Sequence, residues 1–240
     1  MTPKIRLHLD QPLASGQPLQ LDRDQSNYLF AVMRLEVGAT LLVFNGRDGE
    51  WVARVTAASK RGGELVAESR TRPVLMPPDL WLMFAPIKKA RTDFIVEKAT
   101  ELGAARIMPV MTEYTNAERI RQDRLQAHAV EATEQCGGTF VPVVEDLQPL
   151  SKVLAVWPAD RNLLWCDESM VGQSRSLAGL PRGPWAVLIG PEGGFSAAEQ
   201  RRLRALPFVH ALSLGPRILR ADTAAVAALA LWQADLGDWG

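Results

Sequence analysis

Cysteine is nearly absent from this chain: two residues in 240, Cys136 and Cys166, allow at most one bridge. Neither sits in a C-x-x-C pair, so disulfide scaffolds and zinc ribbons have no support and both read as free thiols of a reducing compartment. Histidine is as scarce. His8, His128 and His210 stand far apart, without H-x-x-x-H spacing or a G-x-S-x-G partner, which removes zinc hydrolysis and serine-triad chemistry. No metal is expected. Net charge is missing too, because 27 Lys plus Arg balance 27 Asp plus Glu. Without an overall basic field, a nucleic-acid role needs a local patch. No run approaches the roughly 18 apolar residues of a membrane span. The opening MTPKIRLHLD lacks the apolar stretch of a signal peptide. A soluble, cytoplasmic protein without membrane contact is expected.

What is present is an ordinary apolar fraction of 47%, enough for one large core or two modest ones, distributed in two rhythms. Up to residue 72 the apolar runs are short and strand-like: Lys4 to Leu9, Thr40 to Phe44, Glu50 to Ala57 and Glu64 to Glu68. Between two of them, Asn45-Gly46 and Asp48-Gly49 supply residues that tolerate positive φ, a strong hairpin signal in an expected small β-barrel. One helix near Asp24 to Arg34 interrupts, capped by Asp22 or Asp24, with Leu29, Val32 and Met33 facing inward. The proline-rich segment TRPVLMPPD, residues 71–79, marks the boundary between a domain at 1–72 and one at 73–240.

Beyond it strands and helices alternate, predicting an α/β fold with a mostly parallel sheet. Strands are expected at Leu80 to Ala85, Arg106 to Met111, Asn162 to Cys166, Trp185 to Ile189 and Phe208 to Leu214. The helices fall near Lys88 to Leu102, Glu118 to Gln135, Ala197 to Leu206 and Asp222 to Ala234. Ligands of such sheets bind outside the carboxyl ends of strands, which directs attention to the loops after Ile189 and Leu214. The first, Gly190-Pro191-Glu192-Gly193-Gly194, carries three glycines in five residues and runs into the capping box formed by Ser196 and Glu199. The second, Gly215-Pro216-Arg217-Ile218-Leu219-Arg220, places two arginines ahead of an alanine-rich helix that Asp222 or Thr223 can cap. Neither loop has the Lys-Ser/Thr pair of a P-loop, and no G-x-G-x-x-G follows a strand with an acid about 20 residues on.

Together, LIGPEGGFSAAE at 188–199 and LSLGPRILRADTAA at 212–225 resemble the cofactor loops of the SPOUT methyltransferases. RLEVG at 34–38, KATELGAARIMPV at 98–110 and EQCG at 134–137 are similar to segments of the RsmE family, the uridine-N3 methyltransferases of 16S ribosomal RNA, so the resemblance spans both halves. It implies an N-terminal PUA-like β-barrel, a C-terminal SPOUT α/β domain threaded as a trefoil knot, S-adenosylmethionine as cofactor, and a homodimer. The chain departs from the family at Gly138, where an arginine is usual, and at Asp222-Thr223, where Glu-Thr is common.

The resemblance also distributes roles. Leu188, Ile189, Gly190, Pro191, Glu192, Gly193 and Gly194 of the first loop, with Leu214, Gly215, Ile218, Leu219 and Thr223 of the second, are expected to hold the cofactor. Methylation of uridine N3 requires loss of its proton and stabilisation of the resulting anion. Arg220 and Arg217 suit the anion, while Glu192 is either a catalytic carboxylate or one that holds the loop. Arg6, Arg34, Arg54, Lys88 and Lys89 are the expected phosphate contacts to 16S rRNA, in an assembled small ribosomal subunit. The small-residue face of Ala224, Ala225 and Ala228 with Leu231 is the expected dimer surface. Methylation of a ribose 2′-hydroxyl, or a noncatalytic RNA-binding assembly factor, are the alternatives.

Overall fold

The computed structural model describes residues 3–59, 61–116, 119–172, 177 and 179–240. The chain forms two compact units: Met1–Met76 together with Thr133–Val141, and Pro77–Ala132 together with Pro142–Gly240. The first unit thus runs past residue 72 and takes in nine residues from the middle of the chain, which no local sequence signal marks.

In the first unit β1 (Arg6–His8), β2 (Pro18–Leu21), β3 (Thr40–Phe44), β4 (Glu50–Ala57) and β5 (Gly63–Arg72) form one sheet in the order β1-β3-β4-β5-β2. Only the β1-β3 ladder is parallel. Every strand contributes to a shared core that includes Leu7, Leu19, Leu41, Val55 and Leu65. The hairpin between β3 and β4 turns as its sequence demands. The Asn45 side-chain carbonyl accepts the N–H groups of Arg47 and Asp48 at 2.9 and 2.8 Å. Gly49 takes φ 87°, where a Cβ would meet the carbonyl of Arg72.

The expected helix begins as α1 (Arg23–Ser26), under a complete capping box of Asp22 and Gln25, and then widens into a π-helical segment over Asn27–Val32. There the Met33 N–H reaches the Tyr28 carbonyl, an i→i+5 bond. The wider turn shifts the phase of the face that follows. Leu29 stays fully buried, but Val32 is 61% and Met33 40% exposed, opposite to the inward orientation that 3.6-residue periodicity predicts. Arg34 ends the segment in the left-handed region at φ 57°.

The same unit buries a charge. Glu50, nearly without solvent contact, accepts from Arg6 at 2.9 Å, Arg72 at 2.8 Å and the Thr71 hydroxyl at 2.8 Å. Burial alone would raise its pKa; the bonds from Arg72, Thr71 and Arg6 together overcome that and hold the carboxyl below its ordinary value. Both arginines also donate to carbonyls of the inserted segment. Arg6 reaches Thr133, Glu134 and Gly138, and Arg72 reaches Gly137, so the nine residues are tied in by charge-assisted bonds.

The second unit is built on parallel strands β6 (Leu80–Phe84), β7 (Arg106–Met111), β8 (Val143–Val144), β10 (Asn162–Cys166), β11 (Trp185–Ile189) and β12 (Val209–Leu212). They lie in the order β12-β10-β11-β6-β7-β8, with β9 (Gln148–Pro149) beside β7. LWLMF and WAVLI are near-continuous apolar runs because helices cover both faces of a parallel sheet. The helices are α2 (Lys89–Glu101), α3 (Gln122–Cys136), α4 (Leu150–Ala155), α5 (Ala197–Ala205) and α6 (Ala221–Asp235). The expected start of α3 at Glu118 lies outside the described residues, and the short β8, β9 and α4 fall in a stretch whose sequence reads as irregular.

Two polar anchors join the layers. Arg161, 6% exposed, grips both Asp79 carboxylate oxygens at 2.8 Å and covers the Trp81 ring at 3.6 Å. Buried Gln233 of α6 donates to the Leu102 carbonyl at 2.6 Å, closing the end of α2 where Gly103 takes φ 77°. Among the described residues, no helix is long and apolar enough to cross a membrane.

Candidate active site

Three neighbouring strands of the second unit end level with one another. Trp165 of β10 pairs with Leu188 of β11, and Cys166 with Leu212 of β12, so the loops that follow leave the sheet from one edge. A cavity of about 490 Å³ opens there. Its walls are the two loops singled out by sequence and a third, after Cys166, that sequence reasoning passed over.

The loop after β11 is shaped by its glycines. Gly194 has φ 69° and donates its N–H to the Pro191 carbonyl at 2.9 Å. A Cβ there would collide with the carboxylate of Glu168, and one on Gly190 would sit 2.7 Å from the Phe195 ring. Ser196 and Glu199 form the expected capping box, with Ser196 N–H donating to Glu199 at 2.9 Å, which fixes the loop's exit into α5. Glu192 pairs with Arg91 of α2 at 3.3 Å, and the same arginine lies 3.7 Å from Asp222 at the start of α6. Arg91 therefore joins both glycine-containing loops. Glu192 lies 101 positions from Arg91, so only the fold reveals the pair.

The loop after β12 is more open. Gly215 has φ 110°, and Arg217, Ile218 and Arg220 are exposed. Neither arginine has a carboxylate partner among the described residues. The expected side-chain cap of α6 is not formed: Arg220 occupies the cap position, the Asp222 carboxylate turns toward Arg91, and it accepts the Thr223 N–H at 2.9 Å.

The third wall begins at Cys166, whose thiol burial pushes up to about 12, leaving it protonated and unreactive at neutral pH. Asp167 follows, buried, with one oxygen accepting from Ser169 N–H and hydroxyl at 3.0 and 2.7 Å and the other bound by Arg204 of α5 at 2.7 Å. Applying the strand-end rule to every strand, glycine or not, would have found this loop.

Ile189, Gly190, Pro191, Glu192, Gly194, Leu214, Arg217, Ile218, Leu219 and Arg220 all line the cavity. Leu188 does not: it packs into the core with Met83 and Phe195. Nor do Gly193, whose Cβ would meet Tyr114 at 3.4 Å, Gly215, or Thr223, which is bonded to Asp222. Lys88 lines the cavity, while Lys89 is exposed outside it.

The expected phosphate contacts divide sharply. Arg34 is exposed and unpaired among the described residues. Arg6 is not a surface group; its side chain is 10% exposed and fully engaged with Glu50 and three carbonyls, which corrects its assignment as an RNA contact. Arg54 is likewise committed, its fork held by Glu68 at 2.6 Å and the Gly38 carbonyl at 2.8 Å. The face of Ala224, Ala225 and Ala228 is already buried within the single chain, so it is not the surface expected for a partner; Leu231 is 44% exposed. His210 is structural: it packs on Trp185 and meets Asn162 at 3.2 Å, and burial lowers its pKa. Gly138 lies outside the cavity, in the first unit, where a Cβ would meet Thr133 at 3.2 Å.

Comparison with known proteins places these features in a common setting. The profile of an RNA methyltransferase domain matches residues 75–233, and that of an RNA methyltransferase PUA domain matches residues 21–68. The ribosomal RNA small subunit methyltransferase E of Rickettsia conorii is 29% identical over 230 residues, covering 94% of this chain and 93% of that protein. The crystal structure of the corresponding Neisseria gonorrhoeae enzyme bound to S-adenosyl methionine superposes with a TM-score of 0.87 at 28% identity, covering 98% of this chain and 99% of the other. A Legionella pneumophila methyltransferase in complex with the same cofactor gives a TM-score of 0.87 at 30% identity over 98% of each chain.

Proposed function

Because this chain belongs to the RNA methyltransferase family, alongside the ribosomal RNA small subunit methyltransferase E proteins, we propose that it transfers a methyl group from S-adenosylmethionine to N3 of a uridine in 16S ribosomal RNA. The observation that carries this function is the meeting of two glycine-shaped loops at one cavity with two arginines that have no carboxylate partner among the described residues.

The residues fit such a cofactor. The lack of a side chain at Gly190 and Gly194 lets the backbone lie directly against the Phe195 ring and the Glu168 carboxylate at the cavity wall, and Ile189, Leu214 and Leu219 offer an apolar slot for an adenine ring. Backbone groups of Gly190, Gly194, Leu214 and Leu219 are the natural hydrogen-bonding partners, with Ile218 and Pro191 at the edge. Gly193, Gly215, Thr223 and Leu188 support these loops from behind. When bound, S-adenosylmethionine supplies an electrophilic methyl group on a positive sulfonium.

The protein's task is to present uridine N3 to that methyl and to accommodate the negative charge that spreads to O2 and O4 when N3 loses its proton. Arg217 and Arg220 are exposed in the cavity wall and have no carboxylate partner among the described residues, so their guanidinium groups remain available to that anion. Glu192 is engaged by Arg91, which favours its holding the loop over proton transfer. Arg34 and Lys89 serve as phosphate contacts, and Lys88 acts at the cavity.

The same assignment makes the protein a cytoplasmic homodimer acting on the assembled small subunit. Exposed Leu231 of α6 and Phe94 of α2 support a partner surface. Trefoil threading of the second unit belongs to the same assignment.

Incubation with small ribosomal subunits and S-adenosylmethionine is expected to yield 3-methyluridine by nucleoside mass spectrometry. Reverse transcriptase is expected to stop beside that base, because N3 methylation blocks Watson-Crick pairing. A ribose-methylated product would replace this function with the 2′-hydroxyl alternative.

A further inference from the structure

The cavity wall contains three carboxylates, and their surroundings differ. Asp167 is bound by Arg204 and Ser169, and Glu192 by Arg91. Glu168, which lines the same cavity, has no cation and no hydrogen-bond donor among the described residues. Its carboxylate lies against the Cα of Gly194, where any side chain would displace it. Glu168 is therefore the one acidic group of this wall left to interact with whatever occupies the space.

Its backbone is fixed while its head group is free. Asp167 caps the short 3-10 turn Glu168–Met170 through the Ser169 N–H, and Arg204 anchors the cap from α5. Met170 is buried, Val171 N–H returns to the Glu168 carbonyl at 3.3 Å, and Gly172 N–H donates to the Gly215 carbonyl at 3.1 Å. The backbone of the turn is thus braced against α5 and the loop after β12, which places the exposed Glu168 side chain at the cavity wall.

Resting on the assignment of this cavity to S-adenosylmethionine, we propose that Glu168 binds the α-ammonium group of the cofactor's methionine part and makes the site selective for ligands that carry it. Lys88 provides a cation for the cofactor's carboxylate, and Arg217 and Arg220 provide cations for the RNA anion. Among the described residues, an ammonium group finds only one unpaired anion in this wall. The sulfonium is also positive but has no hydrogen to donate, whereas an ammonium offers three donors to a carboxylate whose acceptor positions are empty.

Calorimetric titration of the wild type and Glu168→Gln with S-adenosylmethionine, S-adenosylhomocysteine and 5′-methylthioadenosine tests this. The first two carry the ammonium, only the first carries the sulfonium, and the third carries neither. Glu168→Gln is expected to weaken the first two equally, by roughly tenfold or more, and to leave 5′-methylthioadenosine and the thermal midpoint unchanged. Loss confined to S-adenosylmethionine would overturn the proposal in favour of a sulfonium contact. Equal loss for all three would reduce Glu168 to a support of the loop, and no loss for any would remove it from recognition. Wild-type protein that binds none of the three would instead overturn the assignment of the cavity itself.

Discussion

In the first unit the buried carboxylate of Glu50 meets two arginines and a threonine, and at the surface Arg54 is paired with Glu68; in the second, Glu168, Arg217 and Arg220 stand in a cavity wall with no partners among the described residues. The same residue types thus play opposite parts. Where charge is paired and buried it fixes chain segments to one another, and removing one member leaves the other desolvated. Where charge is left free at a concave surface, its pairing energy remains available to a ligand. Counting arginines along the sequence cannot separate the two cases, because partners such as Glu50 and Arg6 are 44 positions apart.

The sharpest way to break this contrast is to fill the space on the cavity side. Gly194→Val introduces a β-branched side chain at φ 69° and into the Glu168 carboxylate, so cofactor binding measured by calorimetry is expected to be lost while thermal unfolding stays cooperative. Full affinity in that variant would detach the loop from the ligand. Glu50→Ala attacks the paired side: with Arg6 and Arg72 uncompensated, denaturant unfolding is expected to show a loss of about 3–5 kcal/mol.

Acid probes the same network. The folded pKa of Glu50 lies below its unfolded value of roughly 4.3, so its stabilisation is complete above that value and disappears as pH falls through the folded one. A pH series of unfolding midpoints checks this, and Glu50→Gln is expected to lack that component. Arg220→Ala is expected to slow methyl transfer about 100-fold without changing cofactor affinity, a separation that single-turnover kinetics and calorimetry resolve. The smallest effect lies on the RNA surface. Arg34→Ala is expected to lower the salt slope of RNA binding by about one, whereas Arg54→Ala changes it less because Glu68 already neutralises that charge.

Much of the second unit was legible because its apolar runs are long enough to specify type and extent; Arg106–Met111, Asn162–Cys166 and Trp185–Ile189 have the expected boundaries. The glycine loops were legible because sharp turns at a strand end leave a mark in composition. The turn at Cys166–Met170 left none: it is held by Arg204 and Asp167, polar residues common on any surface. Val32 and Met33 face outward because a local change in helix pitch overrides a periodicity that assumes 3.6 residues per turn. The alanines of α6 are equally compatible with packing inside one chain or between two, and their burial decides for the former.

The nine inserted residues also order events during synthesis. As the chain leaves the ribosome, β1 through β5 appear while Thr133–Val141 is still to be made, so Arg6 and Arg72 emerge beside Glu50 but without the carbonyls that complete their bonding. A nascent first unit therefore holds two underused guanidinium groups until α3 has been translated. The cavity is later still, since its arginine-bearing wall, residues 213–220, follows every other segment that lines it except the first turns of α6. An N-terminal fragment of this protein is thus an unfinished barrel rather than an independent module, and competence to bind a ligand arrives only with the last turns of translation.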